Sequence, residues 1–110
     1  FQDRQIVGHV TVLDPQYGNV WTNIDEALLK KMGVVVGGKV QVEILYQNKV
    51  RYQALVPFVR TFGEVPLGTE MGYLNSLLQF SLAINQGNFA AAHGIAGGPD
   101  WLVRLTQPQR

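Results

Sequence analysis

Within the polar stretch 14–23, Asp14 and Asn19 are gathered with two large aromatics, Tyr17 and Trp21. Pro15 fixes φ and Gly18 permits positive φ, so a turn here lets the Asp14 and Asn19 side chains converge on one spot. A carboxylate and a carboxamide beside two ring faces are groups suited to holding a small ligand. The structural alternative is a turn with an Asx residue and a half-buried Tyr/Trp pair, which many all-β domains contain.

Other chemistry is poorly supplied. His9 and His93 lie in unrelated sequence contexts, with no carboxylate or second histidine at ligand spacing, so no metal site is expected. Ser76 and Ser81 lack a neighbouring histidine and the glycines of a nucleophile elbow, which leaves a hydrolase triad without support. Gly94, Gly97 and Gly98 do not open a helix after a strand in the dinucleotide pattern and read as loop punctuation. The chain has no cysteine, which removes disulfides, thiolate metal sites and a cysteine nucleophile, and fits a reducing, cytoplasmic setting.

A net charge of +1 with 15% charged residues gives no electrostatic footprint for nucleic acid or anionic lipid. No apolar run approaches the ~20 residues that span a bilayer. The 110 residues suit a single domain that buries roughly two-thirds of its unfolded surface. The first residue is Phe1 rather than methionine, and the chain is expected to be a piece of something longer.

The elements that must position the polar turn are mostly strands. Residues 5–13 carry Ile6, Val7, Val10, Val12 and Leu13 and read as a first strand, with Val20, Trp21 and Thr22 continuing beyond the turn. Asn23 and Glu26 have the spacing of a capping box, and Ile24, Leu28 and Met32 fall on one side of the short helix it predicts, with Gly33 at its end. Residues 39–45 alternate Val40, Val42 and Ile44 against Lys39, Gln41 and Glu43, the mark of a half-exposed strand. Residues 50–59 return as its hairpin partner, with Pro57 near an edge or bulge. Residues 71–74 and 78–84 read as two more strands, the second with Phe80, Leu82 and Ile84 alternating against Gln79, Ser81 and Ala83. Residues 89–93 are alanine-rich enough for one helical turn, 97–100 read as a turn, 101–105 as a closing strand, and 106–110 as a frayed tail. About seven short antiparallel strands with one short helix predict an all-β small barrel or sandwich.

Three segments taken together carry a resemblance: the turn above, then Arg60-Thr61-Phe62-Gly63-Glu64-Val65, then Tyr73-Leu74-Asn75-Ser76 followed nine residues later by Asn85. They match, in order and at about the same spacing, the elements Asp-x-x-aromatic-Gly-Asn-x-x-Thr-Asn, Thr-Phe-x-Glu-Val and Asn-Ser. This combination resembles the C-terminal domain of the S-adenosyl-L-methionine (SAM) hydroxide adenosyltransferases, the SAM hydrolases related to the fluorinase and chlorinase. The halogenating relatives carry arginines where this chain has Leu77 and Ile84, which argues against close kinship with the halogenases.

The resemblance implies a β-barrel-like C-terminal domain that forms one wall of a SAM pocket. The other wall would come from an N-terminal α/β domain of a neighbouring subunit in a homotrimer, a domain this chain lacks. By the same resemblance Asp14 holds the methionine ammonium, Asn19 reads the adenine edge, and Tyr17 and Phe62 flank the adenine. Trp21 is a further pocket-side aromatic, Ser76 binds the methionine carboxylate, and Tyr73 and Asn85 line the pocket. The implied reaction converts SAM and water to adenosine and L-methionine, with SAM as substrate and no cofactor. Its catalytic residues belong to the N-terminal domain, so this chain is expected to be inactive alone. The rival reading is a non-catalytic β-barrel module for assembly, with its aromatics at a protein interface.

Overall fold

The computed structural model describes residues 5–14, 17–60 and 65–106. Seven strands form one sheet: β1 (Gln5–Leu13), β2 (Val20–Asp25), β3 (Lys39–Tyr46), β4 (Lys49–Pro57), β5 (Glu70–Leu74), β6 (Gln79–Ile84) and β7 (Gly98–Thr106). Their spatial order is β4-β3-β7-β1-β2-β6-β5, every neighbouring pair antiparallel. The two edges curl toward each other. Phe58, just after β4, bridges to Gly72 of β5, the Val59 N–H donates to the Gly72 carbonyl at 2.9 Å, and the Tyr52 hydroxyl donates to Glu70 Oε1 at 2.6 Å. The result is a nearly closed all-β barrel.

The alternation read from β3 is realised: Val40, Val42 and Ile44 are fully buried, and each has a cross-strand partner on both β4 and β7 or at the β3–β4 end of the ladder. In β6 the expected alternation is overturned, because residues 80–83 are all buried. Phe80 and Leu82 point into the barrel, while Ala83 joins Val59 and Met71 in a second small cluster, with Val65 and Tyr73 packed against it. Val59 and Val65, which follow β4, thus cover the outer face of β6, and a strand covered on both sides has no solvent face to mark with polar residues.

The helix α1 (Glu26–Met32) is capped by Asp25, not by Asn23. Pairing of β2 with β6 continues to Asp25 opposite Gln79, so the extended chain runs two residues further than the sequence suggests. Asn23 stays in the strand, its Oδ1 accepting from the His9 N–H at 2.8 Å, and Asp25 Oδ1 accepts from the Leu28 N–H at 3.0 Å. Ile24 is therefore a strand residue, and the helix buries Leu29 and Met32. Gly33 does end the helix, in the left-handed region at φ 87°, as anticipated. Because the cap is a single exposed side chain, Asp25→Ala is expected to cost about 1 kcal/mol in a urea titration, and Asn23→Ala should leave the helix cap untouched.

A second helix, α2 (Phe89–His93), falls where a helical turn was expected, with Asn88 as its cap. Strand β7 starts earlier than anticipated. A register shift between His9 and Val10 brings Gly98 opposite Val10, so residues 98–100 enter the ladder instead of forming a free turn. Thr106 is likewise paired, with both Gln5 and Gln41, rather than frayed.

Candidate functional site

Cross-strand register places the site residues on one surface. Trp21 of β2 faces Ser81 of β6, and Ser81 faces Tyr73 of β5, so these three side chains form a row on the outer side of the barrel wall. Asn19 lies two residues before Trp21 and Asn85 two beyond Ala83, which by the strand period puts both on the same side.

The polar turn is closed by its own backbone. The Gly18 N–H donates to the Asp14 carbonyl at 2.7 Å and the Asp14 N–H to the Asn19 carbonyl at 2.9 Å. Gly18 sits at φ 73°, and an added Cβ would come within 1.9 Å of the Asn88 side chain, so this position needs glycine for both conformation and space. The Gly18 carbonyl accepts from the Ala90 N–H at 2.9 Å, and Asn88 Oδ1 accepts from the Ala91 N–H at 2.8 Å. The turn is therefore seated on the start of α2.

Between this turn and residues 84–88, which lead into α2, lies a cleft of about 740 Å³ lined by Asp14, Tyr17, Asn19, Ile84, Gln86, Gly87 and Asn88. The structure thus brings together three residues singled out in the sequence. Tyr17 is 56% exposed. Trp21 and Tyr73 stand behind the cleft, where Asn19 Nδ2 donates to the Tyr73 hydroxyl at 3.1 Å. Burial pushes the Tyr73 phenol above its ordinary pKa, and the neighbouring donors Trp21 and Asn19 offset part of that rise. Trp21 Nε1 is a buried donor with no hydrogen-bond partner.

Two further residues, Ser76 and Asn85, stand apart from the cleft. Ser76 is exposed in the turn between β5 and β6. Asn85 is buried, and its Nδ2 donates to the Val65 carbonyl at 2.9 Å while its backbone pairs with Gly68 and Thr69, so it fastens the segment that covers β6. Phe62 lies outside the described residues. Gln86 and Asn88 were missed as lining residues. They belong to a polar Asn-Gln-Gly-Asn turn, and the available signal was its likeness in composition to the turn at residues 14–19.

His93 does have a carboxylate partner. Its Nε2 pairs with Glu70 across 23 residues of sequence, and Glu70 also accepts from Tyr52. Sequence spacing missed this because α2 folds back onto the seam between β4 and β5. Among the described residues no group of three or more His, Cys, Asp or Glu side chains gathers as metal ligands. No helix among them is long and apolar enough to cross a membrane.

A small β-barrel domain with one mixed polar and aromatic cleft is the class that fold and site define. The chain matches the SAM hydroxide adenosyltransferase C-terminal domain over residues 8–102, and it belongs to that family. It is 32% identical over 104 residues to a fluorinase of Nocardia brasiliensis, covering 94% of this chain and 33% of the relative. A fluorinase of an Actinoplanes species is 30% identical over 92 residues, covering 83% and 30%. Among solved structures, an uncharacterized conserved protein from Thermotoga maritima superposes with a TM-score of 0.84 at 22% identity, covering 97% of this chain and 38% of that one. A conserved hypothetical protein from Thermus thermophilus gives 0.60 at 32% identity, covering 90% and 34%. The chain thus spans about a third of the length of these relatives.

Proposed function

We propose that this chain is the substrate-binding C-terminal domain of a SAM hydroxide adenosyltransferase that converts SAM and water to adenosine and L-methionine. The observation that carries the reading is the meeting of Asp14, Tyr17 and Asn19 in one cleft, in a chain of this family. The Asp14 carboxylate is a partner for the methionine ammonium. The Asn19 carboxamide can pair with donor and acceptor atoms of adenine, and the exposed Tyr17 ring offers a stacking face, typically worth about 1–3 kcal/mol per base. Trp21, Tyr73, Asn85 and Phe62 would line or back this pocket, and Ser76 would meet the methionine carboxylate from the β5–β6 turn.

Holding SAM at its two ends fixes the ribose between them. In the proposed reaction the water oxygen bonds to the 5′ carbon, the carbon–sulfur bond breaks, the sulfonium keeps the electron pair as a thioether, and a proton leaves the water. The groups that take that proton belong to the proposed N-terminal α/β domain of a neighbouring subunit in a cytoplasmic homotrimer, so this chain binds without catalysing. A second reading, an assembly module, is favoured by the apolar grooves beside α1 that Val35, Val36 and Leu78 line, with Val35 63% exposed.

Chromatography of products from SAM separates the readings. Adenosine from the full-length protein and none from this chain alone is the expected result; no SAM turnover by either discards the enzyme reading. In the assembled enzyme, Asp14→Ala should weaken SAM binding by about ten- to hundredfold, the range for a hydrogen bond to a charged group. Calorimetry showing unchanged affinity would favour the assembly module.

A further inference from the structure

We propose that Glu70 is a positioning residue for the cleft, its backbone and carboxylate together pinning both ends of the wall that residues 84–88 form, so that the approach of that wall to the 14–19 turn is set at the barrel seam. This rests on the reading of the cleft as the ligand site and deepens it. At the near end Glu70 pairs with Ile84 in the β5–β6 ladder, and the residues before it continue the pairing: the Asn85 N–H donates to the Thr69 carbonyl at 3.0 Å and the Gly68 N–H to the Asn85 carbonyl at 2.9 Å. At the far end the Glu70 carboxylate pairs with Nε2 of His93, the last residue of α2, the helix that follows the wall directly. One residue thus reaches both ends.

The wall needs holding. Gln86 sits in the left-handed region at φ 59°, a conformation that a residue with a side chain keeps only when its surroundings enforce it. The five residues of α2 are too few to be stable as a helix by themselves. Buried Phe89 and Ile95 anchor it, but apolar burial is non-directional and leaves the helix free to pivot. The pair with Glu70 supplies a direction, and the His93 ring is kept in place against Phe89 and Tyr52, at centroid distances of 4.7 and 4.6 Å.

The start of α2 is where this orientation reaches the site. The Ala90 N–H holds the Gly18 carbonyl, and Asn88 both caps the helix and lies against Gly18. A pivot of α2 would therefore move Asn88 relative to the turn that carries Asp14, Tyr17 and Asn19. The other Glu70 oxygen accepts from Tyr52 of β4, so the carboxylate has two separable arms, one to the helix and one across the seam. Only the first leads to the cleft.

The arms can be cut one at a time in the full-length protein that carries this chain, with adenosine affinity read by calorimetry and hydrogen exchange over residues 88–91 read by mass spectrometry. His93→Ala should weaken adenosine binding by about three- to thirtyfold and speed that exchange. His93→Gln, whose amide N–H can still donate to Glu70, should restore the affinity to within about twofold. Tyr52→Phe should lower the thermal midpoint and leave both readouts unchanged. Equal losses of affinity from His93→Ala and Tyr52→Phe, following stability alone, would overturn the inference, as would unchanged affinity in His93→Ala, and in either case the cleft reading stands. No binding of adenosine by the unsubstituted protein overturns the cleft reading, and the exchange comparison then decides the positioning by itself. Should His93→Ala fail to fold, His93→Asn, whose amide falls short of Glu70, takes its place with the same expected and overturning results.

Discussion

Phe80→Ala is expected to lower the unfolding free energy by about 3–5 kcal/mol, a large share of the roughly 5–15 kcal/mol that holds a domain together. Phe80 is fully buried, and its ring lies nearly parallel to that of Phe58, with centroids 6.1 Å apart and planes at 16°. It also sits directly over Gly72, where an added Cβ would come within 2.6 Å of the ring. Gly72 is the residue at which the two sheet edges meet. Truncation therefore removes a large apolar surface and opens a hole at the closure point, where the backbone on one side has no side chain to collapse into it. Urea unfolding should show the loss, and a cost below about 1 kcal/mol would mean that the ring does not pack at the seam. A parallel cycle with Phe58→Ala should show coupling of about 0.5–1.5 kcal/mol between the rings.

Alkaline solution should destabilise this chain steeply. Burial first, and then the hydrogen bond to Glu70 and its negative charge, hold the Tyr52 phenol far above its ordinary pKa of 10.0. The unfolded chain releases that proton near pH 10 while the folded chain keeps it. The stabilising contribution is thus complete below pH 10 and falls above it, by about 1.4 kcal/mol for each pH unit. Tyr73, raised chiefly by burial, adds in the same direction. Urea midpoints collected between about pH 9 and 11.5 should decline with a slope that Tyr52→Phe reduces by close to one proton's worth. An identical slope in the variant would place the Tyr52 hydroxyl in water. Glu70 would still be held by His93 in that variant, so the comparison isolates the phenol.

What the sequence made legible follows from how each element is buried. Val40, Val42 and Ile44 alternate with polar residues because β3 has one face inside and one outside, and period-2 reasoning applies there without correction. The same reasoning overstated β6, since the segment carrying Val59 and Val65 returns over its outer face and buries Ala83 and Ser81 as well. The misplaced cap at Asn23 has a related cause: ladder hydrogen bonds to β6, set by residues more than fifty positions away, extend β2 past the local signal. The turn holding Asp14, Tyr17 and Asn19 was visible as a cluster because its members are adjacent in the chain. Gln86 and Asn88 were not, because only the packing of α2 against Gly18 brings their turn opposite the first. The pairing of Glu70 with His93 was hidden for the same reason.

The position of β7 has a consequence for how the chain is made. This last strand lies between β3 and β1, with ladders to both. On a ribosome the β3–β4 hairpin and the β1-β2-β6-β5 group are complete in sequence before residues 98–106 emerge, and until then each keeps an open edge. The half that carries the cleft can therefore take shape while the barrel is still split. Residues 98–106 are the ones that join the two groups of strands into a single body.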